Sequence, residues 1–392
     1  MLLTAFLIPL NTRLRCKKLL TNTLQAANMA KQTTASPNRR KFIQSSCILA
    51  TAPAILTSKR TAAQEIIGDA NLSYHYKHQF PELPSDFHWQ TTHNVAVDHE
   101  NNLYVIHEGL EKLSDHPSIF VFDENGKYIR SFGEQFQGGG HGIDIRVEGG
   151  TPFLYVAAYQ QVKAIAKLTL TGEVVWIRHA PTDSGHYAEG EATNPKKIWG
   201  RDRFMPTNFA FLPNGDFLVA DGYGSYYIHR YSQDGKWISS FGGPGKGEGT
   251  FSLPHGIWID ERSENEATIV IADRAHNALQ VFNLDGEYKK TVPDLGLPAN
   301  LDTHGNLLLV PELVSRVSIL DQNYKTVVTL GDDRERIIQD KTENGGYTIR
   351  TDSNKWKQGK FVHPHDACFD LAGNIYVAEW VSTGRITKLT LA

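Results

Sequence analysis

One short phrase recurs six times in this 392-residue chain and limits what it can fold into. It reads HNVAVD from His93, HGIDI from His141, TNFAF from Thr207, HGIWID from His255, ANLD from Ala299 and HDACFD from His365. Turn signals such as Glu100-Asn101-Asn102, Pro213-Asn214-Gly215 and Leu371-Ala372-Gly373 follow. Short apolar runs come next (LYVI, LYVAA, FLVAD, IVIAD, LLLV, IYVAE), and third runs such as IFVFDENGK or LQVFNLDGE close the units. A unit of three or four short strands cannot bury both faces alone, so six of them imply a solenoid or a propeller.

The spacing separates the two. Successive units start about 45 residues or about 66 residues apart, which fits the four-strand blade of a propeller plus two insertions. The predicted fold class is therefore all-β, a six-bladed β-propeller. The innermost strands of such blades begin near the axis, so the residues that open each repeat converge there. Ahead of the first repeat, Leu72, Tyr74, Tyr76, His78 and Phe80 alternate with polar residues, a strand period of two. The last repeat has only three strand runs, so this N-terminal strand is expected to supply the fourth and close the ring.

Composition narrows the partners. With 40% hydrophobic residues and a net charge of -3, the chain can bury a large core and carries no nucleic-acid footprint. Its three cysteines, Cys16, Cys47 and Cys368, offer no disulfide framework. Residues 1–63 form a separate segment: paired Arg39-Arg40 before Phe42, a short apolar run CILATAPAIL from Cys47, and small residues Thr61-Ala62-Ala63. This resembles a twin-arginine export signal, with residues 1–28 as upstream extension and Met29 a plausible start. The apolar run is shorter than the roughly 20 residues a membrane span needs. The expectation is a periplasmic or secreted propeller over residues 64–392, touching a membrane only through its signal.

Two connections exceed ordinary loop length, Pro181 to Met205 and Gly331 to Phe361, and by position both rim one mouth of the channel. His141, His255 and His365 open repeats two, four and six, about 120° apart around a six-bladed ring. Three imidazoles with an open position form a ligand set that zinc accepts. His93 holds the same phase in repeat one, as a supporting group or an alternative ligand. His363 falls on the opposite face of an extended segment and reads as structural.

The run MPTNFAFLPNGDFLVADGYGSYYIHRYSQDGKWISSFG from Met205, with FSLPHGIWID and IADRAHNALQVF after it, resembles NHL-repeat propellers. Among them it resembles the lyase domain of peptidylglycine α-amidating enzymes. The likeness covers nearly all of residues 90–392 and is most specific in this central pair of repeats. It implies cleavage of a peptidyl-α-hydroxyglycine to a peptide amide and glyoxylate, with zinc on His141, His255 and His365. It further implies a catalytic Tyr223, a catalytic arginine at Arg274, and a structural calcium on Asp366 with carbonyls of Val95 and Ile143. A nearby cation would lower the Tyr223 pKa for a base role. Arg274 reads equally as a structural ion-pair partner of Asp273 or of another blade's carboxylate.

Two positions depart from the family. Glu108 stands where a second catalytic arginine is expected, and Gly224 where a disulfide cysteine is expected. A carboxylate at the mouth would repel a substrate carboxylate, so weak native turnover, rising in Glu108→Arg, is the expectation. Two other readings stand beside the lyase. One is a metal-dependent hydrolase of gluconolactonase-like type with Glu108 or Asp221 as base or ligand. The other is a non-catalytic propeller binding a peptide or glycan; a small-molecule or peptide partner suits all three. For export, replacing Arg39 and Arg40 together by Lys should leave precursor in the cytoplasm, and the mature chain should begin near Gln64. Fractionation with N-terminal sequencing checks both, and unchanged export of the double variant rejects the signal.

Overall fold

The computed structural model describes residues 65–113 and 115–392. The export signal, its cleavage site and two of the three cysteines therefore lie outside the described residues. Six antiparallel sheets stand around one axis. Blade one takes its strands from residues 92–132, blade two from 140–178, blade three from 208–242, blade four from 254–292 and blade five from 302–330. Blade six is built from both ends of the described chain. Pro364–Phe369, Ile375–Glu379 and Arg385–Leu391 are its inner strands, and Ser73–His78 pairs antiparallel with Arg385–Leu391. The predicted closure of the ring is thus observed, with a fifth strand, Ile66–Gly68, added outside it.

Each blade turns one face to each neighbour, and the core consists of six such contacts. Tyr104, Ile106, Val156 and Leu168 pack between blades one and two; Tyr155, Phe209, Phe217 and Tyr231 between two and three. Leu309, Ile319, Val377, Leu389 and Tyr74 pack between five and six. The alternation read in the N-terminal strand exists because Tyr74 is buried in that last contact, with Leu72 and Tyr76 packed against it on the same face.

The second long connection departs from expectation. It contains a helix, α1, over Arg334–Asn344, with Asp333 as its N-cap residue and Gly345 in the left-handed conformation at its end. Only Ile337 and Ile338 are apolar within it, and Ile338 is exposed, so no apolar stripe marks the helix in the sequence. Ile337 packs instead on Ile349, Val362 and Val381, a small core that holds this insertion against the end of the propeller.

Closure by the N-terminal strand carries a stability consequence. Tyr74→Ala opens a cavity between blades five and six and should cost about 3 kcal/mol or more, the usual scale for a buried aromatic. Chemical denaturation of residues 64–392 should show the loss as a lower midpoint, with metal content unchanged.

Candidate metal centre and channel mouth

Four histidines project to the axis, and the backbone explains why. The ladder register slips by one residue between Thr92 and Asn94, Gly140 and Gly142, Pro254 and Gly256, and Pro364 and Asp366. The extra residue at each slip is His93, His141, His255 or His365. Such a bulge re-aims one side chain out of the pleat. Blades three and five have no bulge there and present Thr207 and Ala299 instead.

Three of the histidines are held alike. Nδ1 of His141 donates to the Thr207 carbonyl at 2.9 Å, Nδ1 of His255 to the Ala299 carbonyl at 2.6 Å, and Nδ1 of His365 to the His93 carbonyl at 2.8 Å. Each imidazole of an even blade thus bonds the equivalent backbone position of the next odd blade. The blades must approach closely for this. A Cβ at residue 142 would meet the Thr207 carbonyl at 2.2 Å, which is why glycine follows His141.

A carbonyl can only accept, so all three Nδ1 atoms carry hydrogen and the Nε2 lone pairs face the axis. Burial drives all three pKa values well below the ordinary imidazole range, so the rings are neutral. Their centroids form a near-equilateral triangle of 4.6, 4.8 and 5.0 Å. Nε2 of His141 and His255 lie 3.1 Å apart, and Nε2 of His365 is buried without a partner. Two lone pairs at that separation repel unless a cation lies between them. Ligands about 2.0–2.1 Å from a tetrahedral metal would sit at a similar separation. The three buried histidines could therefore form a metal site, and oriented Nδ1–H groups are the support such ligands have.

His93 is part of the ring but differs. Among the described residues the trio whose ligand atoms all lie within 4.8 Å of one another is His93, His141 and His365. Its Nδ1, however, has no partner, and its Nε2 lies 3.4 Å from Glu108 Oε2. The anchored set His141, His255 and His365 is better prepared for a metal, and His93 joins the metal side to the mouth. His363 is fully buried with Nδ1 donating to the Leu313 carbonyl at 2.7 Å, away from the axis.

Tyr223 stands directly above. Arg274 Nη1 donates to its hydroxyl at 3.1 Å, and that hydroxyl lies 3.1 Å from His255 Nε2, where it donates to the lone pair. Burial raises the Tyr223 pKa, and the pull of Arg274 does not overcome it. The expected lowering is thus not met by the protein's own charges, because desolvation of the phenolate is the larger effect. Nor does Arg274 pair with Asp273, which instead accepts from His276, Gln280 and the Ser252 amide. Arg274 is 5% exposed, and its Nε and Nη2 are buried without acceptors.

Asp221 and Gly224 set the Tyr223 turn. The Asp221 carboxylate accepts from the Met205 and Ser225 amides, both at 2.7 Å, and from Tyr187 at 2.8 Å. It is a structural hub and not a free base. A Cβ at residue 224 would sit 2.1 Å from the Arg203 carbonyl and 2.2 Å from Asp221. No cysteine fits there, and the carboxylate holds the turn that a disulfide was expected to hold.

Glu108 is not a bare charge at the mouth. It accepts from Gln160 Nε2 at 2.7 Å, and despite burial, which pushes its pKa up, the bonds from His93 and Gln160 and the charge of Arg350 bring it below the usual carboxylate value. Tyr159, which the sequence reading missed, lies 4.9 Å from the His141 ring and 5.1 Å from the Tyr223 ring. Repeat phase could have found it: Glu108, Tyr159, Arg274 and Trp380 each follow the residue paired across the bulge. Trp199, 56% exposed on the first insertion, reaches over Tyr223 at 5.3 Å. Both insertions do rim the histidine mouth.

Further down the channel one cavity is lined by Val95, Ile143, Asp144, Asn300, Asp302 and Asp366. Asp366 accepts from the Val95 amide at 2.8 Å and from Asn300 at 2.5 Å. Burial lifts Asp144 to about 8, Asp366 to about 7 and Asp302 to about 6, so these carboxyls hold protons or a cation more readily than solvent-exposed ones.

The architecture defines the class: the chain is a six-bladed β-propeller. A family model described as a 6-bladed beta-propeller matches residues 212–313. Among similar proteins, NHL repeat-containing protein 3 of Mus musculus is 26% identical over 252 residues, covering 60% of this chain and 66% of that protein. Peptidyl-alpha-hydroxyglycine alpha-amidating lyase 1 of Drosophila melanogaster is 29% identical over 210 residues, 48% of this chain and 35% of the relative. Peptidyl-glycine alpha-amidating monooxygenase of Mus musculus is 24% identical over 245 residues, 52% of this chain and 23% of the relative. The chain thus spans less than two thirds of each of these relatives. Virginiamycin B lyase from Staphylococcus aureus shares the fold at a TM-score of 0.50 and 14% identity, covering 81% of this chain and all of that one.

The three-histidine geometry makes a direct prediction. His141→Ala, His255→Ala or His365→Ala should each weaken metal binding by more than about 100-fold, whereas loss of a merely supporting group costs about 10–100-fold. His363→Ala should leave it unchanged. Competition with a chromogenic chelator measures this, and full metal content in the triple variant rejects the site.

Proposed function

We propose that this propeller is a zinc-dependent lyase that breaks the C–N bond of an α-hydroxyglycyl-type substrate, giving an amide and an α-oxo acid. The observation that carries the proposal is the line Arg274, Tyr223, His255, which sets one phenol between a buried guanidinium and a metal-type imidazole. A divalent cation on the three Nε2 atoms would take over the His255 lone pair from the Tyr223 hydroxyl, polarise the substrate hydroxyl and add the positive charge that Tyr223 lacks for ionisation. Once ionised to the phenolate, its own proton released to solvent, Tyr223 would take the hydroxyl proton and return it to the departing amide nitrogen. The O–H and C–N bonds break, C=O and N–H form, and the proton count closes. The unpaired Nε–H and Nη2–H of Arg274 suit a substrate carboxylate or the developing oxyanion, because a buried guanidinium without an acceptor is costly. Trp199 and Tyr159 give the residue before the reacting centre an apolar wall. Likeness to an amidating lyase over about half the chain supports the same reading. We also propose a structural calcium at Asp366, favoured by the raised carboxyl cluster around it.

The geometry around Glu108 changes one expectation. Its charge is already engaged by Gln160 and offset by Arg350, so native turnover should be substantial. Glu108→Arg should lower it by breaking the bond to Gln160. Glyoxylate release from a peptidyl-α-hydroxyglycine should fall by about 100-fold or more in Tyr223→Phe and in Arg274→Ala, the usual scale for a lost acid–base group. Stoichiometric metal with no native turnover would reject the lyase and favour a hydrolase or a binding propeller.

A further inference from the structure

We propose that Arg350, on the insertion between blades five and six, is the residue that selects ligands carrying a carboxylate on the blade-one side of the mouth. This rests on the lyase-like reading of the site. The residue lies outside every repeat, yet its guanidinium is fixed in place. Its Cζ stacks 3.7 Å from the centre of the Trp380 ring, Nε donates to the Trp380 carbonyl at 3.0 Å, and Nη2 donates to Thr91 Oγ1 at 3.3 Å. The Thr91 carbonyl in turn accepts the Glu108 amide at 2.8 Å, so arginine and glutamate share one anchor.

Three contacts fix the fork and leave Nη1 with no acceptor among the described residues. Its charge is felt by Glu108, His93 and Tyr159, the groups between the mouth and the histidine ring. Among the described residues Arg350 nevertheless has no ion-pair partner within 4.0 Å. A half-buried, pre-oriented guanidinium with a free N–H edge loses little entropy on gripping a planar anion. Arg274 enters from blade four, on the other side of the axis, bonded through Nη1 to Tyr223 and with its Nε and Nη2 unpartnered. The mouth therefore has two cationic sides with the imidazoles between them. Glu108 moderates Arg350: it offsets the charge in the empty site and weakens, without abolishing, the pull on an incoming carboxylate.

The test uses unreactive probes on the metal-loaded protein, residues 64–392: N-benzoylglycine, which carries the carboxylate, and N-benzoylglycinamide, which does not. Calorimetry should give at least 10-fold weaker binding of the acid to Arg350→Gln, whose amide can still bond Trp380 or Thr91. Arg350→Ala should match it, and both variants should bind the amide as the native protein does. Glu108→Gln should bind the acid more tightly. Equal loss for acid and amide would mark a structural role and overturn the proposal. Native affinity for the acid in Arg350→Gln would overturn it while leaving the lyase reading intact. A native protein that ignores the acid altogether overturns both, and metal content measured in parallel shows that the site was loaded.

Discussion

The bond from a histidine Nδ1 to the backbone carbonyl of the next blade is the constraint on which the centre of this molecule depends. It occurs three times, from blades two, four and six to blades three, five and one. Each bond ties two inner strands together at the axis, fixes one tautomer and turns one Nε2 lone pair inward. Neutral rings so arranged repel one another at 3.1 Å. A cation held between the Nε2 atoms would relieve that repulsion, by the same physics that makes buried unpaired polar groups rare elsewhere.

The rest of the mouth follows from that ring. Tyr223 can donate to His255 only because the His255 Nδ1 hydrogen is already committed to Ala299. Arg274 can then spend Nη1 on the phenol and keep Nε and Nη2 unpartnered. Asp221 holds the turn between them through two backbone amides and Tyr187, which frees this propeller from a disulfide at that point. The insertion 181–205 supplies both Met205, whose amide Asp221 accepts, and Trp199 above Tyr223. The long loop and the Tyr223 turn are therefore one mechanical unit.

Burial sets the sign of most titrations at the axis. It keeps the histidines neutral and ready to ligate, holds Tyr223 protonated, and raises the three channel carboxyls. Glu108 is the exception, because two donors and a nearby guanidinium outweigh its desolvation. Positive charge brought to the axis by a cation would shift Tyr223 and the carboxyls toward their ionised forms together.

Repetition made much of this legible from the residues alone. Six copies of one phrase determined the blade count, the convergence of the first residues, and the shared phase of His93, His141, His255 and His365. The three-stranded last repeat determined that Ser73–His78 closes blade six. Tertiary structure alone could decide which histidines act alike. That choice depends on the Nδ1 acceptors, which are backbone carbonyls about 44–66 residues downstream or, for His365, 272 residues upstream. It alone could place Arg350 beside Glu108 and helix α1 over the end of the propeller. Insertions obey no repeat period, and their positions are set by stacking on Trp380 and by burial of Ile337, contacts that no local pattern encodes.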